Sequence, residues 1–389
     1  MVIEKVIEQA YCEQLITMQR MVTSYPFSKL EKTMRVTLNK ALIFVLHLYP
    51  RLSHMEAKQL VTEIYLNSKR ATADLNEDYS EYIICNTKIK DDYFTLDMLP
   101  CIFSAFHFSA YKLITRVLIK AGVNIAVLVS SDLSKSMSEE IQISNEMAEK
   151  NGWGGRALLV DTSSPLMIRK LLKLTKNGWS LLIYADGSTG SDGMERKGNN
   201  SLTVDFFNVK LHVRKGLAVI AQLSKLPIVP VYCYFESLCT RKLVLKKPID
   251  VQNLSNDKHS ILMQQVYEIH QIEVAKQPAH WEGFLFLLKF VEPARNNSYL
   301  EIGEKPNSTS SKTYFYRVNK SNFAFVEFYD GFFSVRLSDL KFIRLTQELY
   351  QRFQKCGPLF SPQDLGLTEY SQLEKLEQLG LIEANQLPN

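Results

Sequence analysis

The chain has 389 residues, 46% of them apolar or aromatic and 22% charged, with a net charge of +5. That length exceeds one core of ~250–300 residues and predicts a large domain with a smaller one. Sixteen Gly and 13 Pro exclude a fibrous protein, 21 Phe and 18 Tyr exclude disorder, and the mild basic excess falls short of a nucleic-acid binder.

Residues 1 to about 95 read as helical, with Leu30, Met34, Leu38, Leu42 and Leu46 keeping one apolar side. The apolar run 41–48 (ALIFVLHL) contains His47 and is far shorter than the ~18–20 residues of a membrane span. Glu4, Glu8 and Glu13 make the N-terminus unlike a signal peptide. Six cysteines without a CxxC pair predict a reducing compartment and no metal site. The expected location is the cytoplasm, with at most peripheral membrane contact.

From residue 100, short apolar runs alternate with helical stretches. Strands are expected at 100–106, 124–130, 157–160, 181–185 and 226–235. Helices are expected at about 109–121, 138–150 and 214–224, and another opens at Ser163-Ser164-Pro165 with a serine cap. Strands apolar on both sides and separated by helices imply α/β architecture: a helical N-terminal region, then a mostly parallel sheet flanked by helices. This domain is assigned residues 1–295.

Residues 296–312, rich in Asn, Ser, Thr, Gly and Pro, read as a linker. Residues 313–389 read as a small α+β, winged-helix-like module. Three strands (314–318, 323–329, 332–337) precede three helical pieces (340–355, one from Ser361-Pro362, and 371–379).

His107 follows the first strand of the sheet, at the carboxyl edge where ligands of open α/β sheets bind. An imidazole there suits a general base. Asp186 ends the strand LLIYA and opens a glycine-rich turn, 186–193, whose backbone N–H groups could face an oxyanion. That turn lacks the GK[ST] of a phosphate-binding loop, so no nucleotide triphosphate site is expected. Arg169, Lys173 and Lys176 share one helix face, with Arg196-Lys197 and Arg214-Lys215 further on. Such a face suits phosphate groups or an acidic carrier protein.

In order along the chain, HFSAYKLITRVLIKAGVNIAVLVSS from His107, GWSLLIYADGSTGSDG from Gly178, VDFFNVKLHVRKGLAVIAQLSKLPIVPVYCYFE from Val204 and QPAHWEGFLFLLKF from Gln277 resemble the lysophospholipid acyltransferase-like superfamily. The branch they are most similar to is the late (lauroyl/myristoyl) acyltransferases of lipid A biosynthesis. The resemblance spans roughly residues 10–295. It implies transfer of a fatty acyl group from an acyl carrier protein or coenzyme A thioester to a hydroxyl or amine, with the thioester as co-substrate and no other cofactor. It implies His107 as catalytic base, with Lys112, Gly187, Ser188, Arg196, Phe207 and Arg214 expected against substrate. Backbone N–H groups near Gly187 would hold the oxyanion, and Phe103, Phe106, Phe206 and Phe207 would line the acyl groove.

One departure matters. The family places Glu or Asp five residues after its histidine, and here that position is Lys112. Its charge would lower the pKa of His107 and cannot accept the imidazole N–H. Either Asp186 substitutes as the acid, or the fold is a catalytically lapsed binder of lipid or peptide. Lys112 is expected to point away from His107.

The tail resembles the recognition domains that hold leader peptides in ribosomal peptide modification pathways, which implies a peptide among the partners. Asp364, Glu374, Glu377 and Glu383 on its helical part argue against nucleic acid. Strands 314–318 and 332–337 are the expected docking edges, with Leu373, Leu376 and Leu379 in a groove beside them.

Overall fold

Ile102, Phe103, Ser104 and Ala105 are all buried, as a strand covered by helices on both faces must be. The computed structural model describes residues 2–23, 31–90, 93–95, 98–187, 201–252, 258–291, 315–328, 331–357, 359–366 and 370–385. The expected linker, 296–312, lies outside them.

Helices α1 (Val2–Thr23), α2 (Lys32–Leu48), α3 (His54–Ala73) and α4 (Glu77–Cys85) open the chain. Strands and helices then alternate: β1 (Lys88–Lys90), β2 (Ile102–Ala105), α5 (Ile114–Lys120), β3 (Ile125–Val129), α6 (Ser131–Asn151), β4 (Ala157–Asp161), α7 (Met167–Lys176) and β5 (Ser180–Tyr184). A hairpin of β6 (Ser201–Phe206) and β7 (Val209–Arg214) follows, then α8 (Gly216–Ser224), β8 (Ile228–Phe235), β9 (Arg241–Leu245) and α9 (His259–Lys276). The remaining elements are β10 (Phe315–Val318), β11 (Phe323–Phe328), β12 (Gly331–Arg336), β13 (Lys341–Leu345), α10 (Gln347–Lys355), α11 (Tyr370–Gln378) and β14 (Ile382–Asn385).

The chain divides into two units. One holds Met1–Tyr25 and Leu60–Glu292, the other Pro26–Gln59 and Pro293–Asn389. The first is built on a seven-stranded sheet in the order β1-β9-β8-β2-β5-β3-β4. All neighbours are parallel except β8 and β9. The five expected strands are β2, β3, β4, β5 and β8, and the architecture is the mixed α/β, mostly parallel form expected of an acyltransferase-like fold. Gly155 lets two segments meet, since a Cβ there would lie 2.4 Å from the Val123 carbonyl oxygen.

Two local expectations need correction in this unit. Ser163 and Ser164 do not cap α7, whose N-cap is Leu166 with no side-chain hydrogen bond. Asp161 instead accepts from the Ser163 amide (2.8 Å) and hydroxyl (2.7 Å), closing a turn ahead of the helix. The helix expected after His107 starts as a 3-10 turn, Tyr111–Leu113, before α5. Phe206 ends β6 and Phe207 lies at the turn of the β6–β7 hairpin.

In the second unit β11, β12 and β13 form an antiparallel meander, and β10 pairs with β14. Residues 26–59 belong here, not with the sheet domain to which 1–295 was assigned. The Asn39 amide of α2 donates to the Glu327 carbonyl of β11 at 3.1 Å, and Arg35 pairs with the Glu327 carboxylate at 3.0 Å. That explains the apolar run 41–48, because α2 buries six consecutive residues, Ala41 to Leu46.

Residues 341–345 are strand, not helix. Side chains of Ile343 and Leu345 are buried and that of Arg344 is exposed, a period of two. Thr346 then accepts from the Leu349 amide to start α10. The order is therefore four strands, a helix, a 3-10 turn, a helix and a closing strand, not the three-plus-three of the expected module. β12 is the central strand of its sheet, and β10 is bridged on its other side by Phe360, so neither is a free edge. Leu373 and Leu376 are buried in this unit's core and Leu379 packs against it, so they line no open groove.

Candidate functional site

The register of β2 and β5 builds the site. Ala105 lies beside Tyr184, so two residues further on His107 reaches the level of Asp186. The Asp186 side chain is fully buried and accepts three kinds of N–H. His107 Nδ1 lies 2.8 Å from Oδ1, and the His107 backbone N–H donates to both oxygens at 3.1 and 3.0 Å. The Trp281 indole Nε1–H donates to Oδ2 at 2.9 Å. A carboxylate can only accept, so it fixes the proton of neutral His107 on Nδ1 and leaves Nε2 as the lone-pair nitrogen.

Trp281 is fully buried and packs on Phe106, Phe206 and Phe284, with ring centroids 5.9, 5.2 and 4.8 Å away. Gly283 is required beneath it, since a Cβ at that position would come within 2.2 Å of the indole. The segment is drawn in by backbone bonds: the Glu282 amide donates to His107 O (2.8 Å) and the Ser109 amide to His280 O (2.7 Å).

The imidazole is walled by Tyr111, Tyr184 and Phe286 at centroid distances of 4.8, 4.9 and 5.6 Å. Burial pushes the pKa of His107 down, but the Asp186 charge and hydrogen bond, with Glu282 in support, raise it above the ordinary value against a smaller lowering by Lys112. The expected effect of Lys112 is present and is outweighed.

His107 and Asp186 open on a cavity of about 840 Å³. Its apolar wall includes Val127, Val129, Ile183, Leu211, Ile220 and Met263, and its polar side includes Thr115, Ser136, Glu140 and Ser144. Glu140 is anchored by Arg116, which also donates to Ser80 and Ser144 and is itself 1% exposed. Aliphatic side chains and Tyr111, Tyr184 and Tyr267 line the cavity where phenylalanines were expected. Phe103, Phe106 and Phe206 are core residues, Phe106 stacking on His270 at 3.9 Å.

The other expected residues are placed as follows. Lys112 lines the cavity, and its ammonium donates to Thr72 Oγ1 at 2.8 Å. Gly187 lines it too, but its amide donates to Tyr184 O at 3.1 Å and is not an open oxyanion donor. Arg214 lines the cavity at the end of β7. Phe207 does not; it sits at the hairpin turn with φ 53°, its amide bonded to Gln271. Ser188 and Arg196 lie outside the described residues. Sequence reasoning missed Trp281, Glu282 and Tyr111, whose hydroxyl donates to Glu282 at 3.0 Å. Among the described residues no helix is long and apolar enough to cross a membrane.

Among curated proteins none matches the chain. Among solved structures, the crystal structure of the 1-acyl-sn-glycerophosphate (LPA) acyltransferase PlsC from Thermotoga maritima is similar at 16% identity. The match covers 63% of this chain and 96% of that one with a TM-score of 0.30. The family model described as bacterial lipid A biosynthesis acyltransferase matches residues 96–290, half of the chain, His107, Asp186 and Trp281 among them. The chain belongs to the bacterial lipid A biosynthesis acyltransferase family.

Proposed function

We propose that the protein transfers a fatty acyl group from a carrier-protein or coenzyme A thioester to a hydroxyl or amine, with His107 as general base and Asp186 as its orienting acid. The observation that carries this reading is the 2.8 Å bond from His107 Nδ1 to Asp186 at one wall of the cavity. His107 Nε2 takes the proton from the acceptor, whose oxygen or nitrogen attacks the thioester carbonyl. The tetrahedral oxyanion collapses, the C–S bond breaks, and the leaving thiolate takes the proton back from Nε2. Arg214 supplies positive charge at the cavity for anionic parts of the donor or acceptor. The reaction asks for no metal or redox cofactor.

The alternative, a catalytically lapsed fold that binds lipid or peptide, arises because Lys112 holds the usual acid position. Asp186, delivered by the β2–β5 register, supports catalysis instead. For the second unit we propose peptide capture at β13, whose outer edge pairs with no strand among the described residues of that unit, by addition of an extended segment. Six free thiols favour a reducing compartment.

The test is incubation with dodecanoyl thioesters and candidate acceptors, a lysophospholipid, a lipid A precursor and peptides, with products read by mass spectrometry. Acyl products from the wild type and none from His107→Ala are expected. Equal products from both would overturn the assignment.

A further inference from the structure

The Gly187 amide is spent on Tyr184 O, so the oxyanion of the transfer lacks the donor expected there. Ser130 lines the same cavity as His107 and is 6% exposed. Its hydroxyl is buried and has no hydrogen-bond partner. The other buried serines of this unit among the described residues, Ser80, Ser104, Ser109, Ser144 and Ser180, are all hydrogen-bonded. A buried hydroxyl left unpaired destabilises the free protein, so this exception calls for a partner from outside the chain.

Groups beside Ser130 are spent locally. The Thr162 amide and hydroxyl both donate to Val129 O, at 2.8 and 3.0 Å. Ser130 is the N-cap of α6, yet its side chain bonds to no amide of that helix. Its carbonyl accepts the Leu133 N–H at 3.1 Å. Ser130 and Leu133 both line the cavity, so the 21-residue helix starts there. Its first N–H groups have no carbonyl partner within the helix and give that end a positive partial charge.

The strand register sets Ser130 across from His107. Val127 pairs with Leu182 and Ala105 with Tyr184 on β5. Extended by three and two residues, these pairs bring Ser130 level with Ala185 and His107 level with Asp186. The two residues therefore flank the end of β5 from β3 and β2, two strand spacings or ~10 Å apart. A tetrahedral centre between them needs a hydrogen bond of ~2.8 Å at each end and two covalent bonds, roughly 8 Å in all.

We infer that the Ser130 hydroxyl, at the N-terminus of α6, donates to the thioester carbonyl oxygen as that oxygen becomes an oxyanion. The inference rests on the acyl-transfer reading and adds a catalytic residue to it. When the acceptor attacks, the carbonyl π pair moves onto the oxygen, which accepts the Ser130 O–H. On collapse the C=O bond reforms and the C–S bond breaks. Ser130 keeps its proton throughout. Its hydroxyl is unpaired in the free protein, so it gives up no bond within the protein to make this one.

The experiment measures kcat, KM and thermal midpoint for the full-length wild type, Ser130→Ala and Ser130→Thr, with a dodecanoyl thioester and the acceptor that the wild type acylates. Ser130→Ala should lower kcat by about 10²–10³-fold while KM for the thioester stays within about twofold. Its thermal midpoint should equal or exceed that of wild type, since the deleted hydroxyl holds nothing in the free protein. Ser130→Thr keeps a hydroxyl and should hold the loss of kcat within about tenfold. Unchanged kcat in Ser130→Ala overturns the inference. So does a loss that appears in KM alone, or one matched by a lower midpoint. A second arm needs no turnover: calorimetric titration with dodecanoate, whose carboxylate carries the charge of an oxyanion, and with dodecan-1-ol. Ser130→Ala should weaken binding of the carboxylate about tenfold and of the alcohol less than about twofold. Equal effects on both overturn the inference. No acyl product from the wild type with any donor would end the transfer reading, and the carboxylate arm would still decide whether Ser130 holds an oxyanion.

Discussion

Two fully buried aspartates sit in the same unit and do different things. Asp74 meets Arg241 through paired bonds of 2.8 and 2.7 Å, and Tyr11 donates to the same carboxylate. Arg241 spends its remaining N–H groups on Tyr11 and on the carbonyls of Ser237, Leu238 and Thr240. Both charged side chains are 0% exposed. Asp186 is as deeply buried, yet its cationic partner is an imidazole whose second nitrogen is left over, and that ring is 23% exposed. A guanidinium closes a network, because it has donors only and no proton to lend. An imidazole on the same kind of carboxylate leaves one nitrogen for chemistry. The first network ties α1, the residue just after α3 and β9 together, and the second faces a cavity.

The comparison breaks most visibly at the open pair. Asp186→Asn should lower kcat/KM by about 10³–10⁴-fold, since an amide can no longer hold the imidazole in its working tautomer. His107→Ala should fall as far in product assays while its thermal midpoint, read at a pH above the folded pKa of His107, stays near wild type. At the closed pair the outcome should invert. Arg241→Met leaves Asp74 buried without its cation and should cost about 3–5 kcal/mol of stability in denaturant titration. Activity per folded molecule should then remain within about twofold, because no atom of that network touches the cavity.

How much of this was legible in the sequence follows from the physics of each part. The strand runs were readable because strands covered on both faces are continuously apolar, and the β2–β5 register then placed His107 beside Asp186. Trp281 was visible as a residue but not as a partner. It reaches Asp186 through an isolated bridge from Phe108, in a stretch of 3-10 turns that has no period to detect. Phenylalanines were misread as groove because composition does not distinguish a core ring from a cavity wall. The stretch 340–345 was misread as helix because Leu340, Ile343 and Leu345 fit helical and alternating spacing equally over so short a run. The membership of residues 26–59 in the second unit rests on tertiary hydrogen bonds such as Asn39 to Glu327, which leave no local trace.

A smaller effect should separate holding the carboxylate from being the carboxylate. Trp281→Phe keeps an aromatic ring over Gly283 and removes one N–H from Asp186. The charge left less satisfied by that loss attracts the imidazolium more strongly. The base must be neutral to work, so wild-type activity should rise with pH through a midpoint above the ordinary histidine value, as the raised pKa of His107 requires. In Trp281→Phe that acid limb should move to higher pH, with about a tenfold loss in kcat/KM at neutral pH. A drop in stability with no movement of the limb would reduce Trp281 to packing. Linkage gives the same group a second readout. A pKa raised on folding contributes stability that is complete below the unfolded histidine value and is lost as pH rises through the folded one. His107→Gln should remove that part of the stability profile.

The smallest effect is expected at Lys112, and it tests what the family's acid position does in this chain. Its ammonium is held by Thr72 Oγ1 at 2.8 Å and lies 5.9 Å from the Tyr111 ring centroid, so it does not hydrogen-bond the imidazole. It acts on His107 by charge alone, lowering the pKa that Asp186 and Glu282 raise. Lys112→Glu reverses that charge. It should move the acid limb of the activity profile to higher pH in the same direction as Trp281→Phe, while leaving the plateau above that limb equal to wild type or higher. Lys112→Met, which removes the charge without reversing it, should give a movement in the same direction and of smaller size. Both variants still present His107 Nδ1 to Asp186, so neither should approach the loss seen in Asp186→Asn. A collapse of the plateau in Lys112→Met would instead mean that the ammonium binds substrate, because a neutral side chain there leaves the dyad intact and can remove only an attraction for an anion.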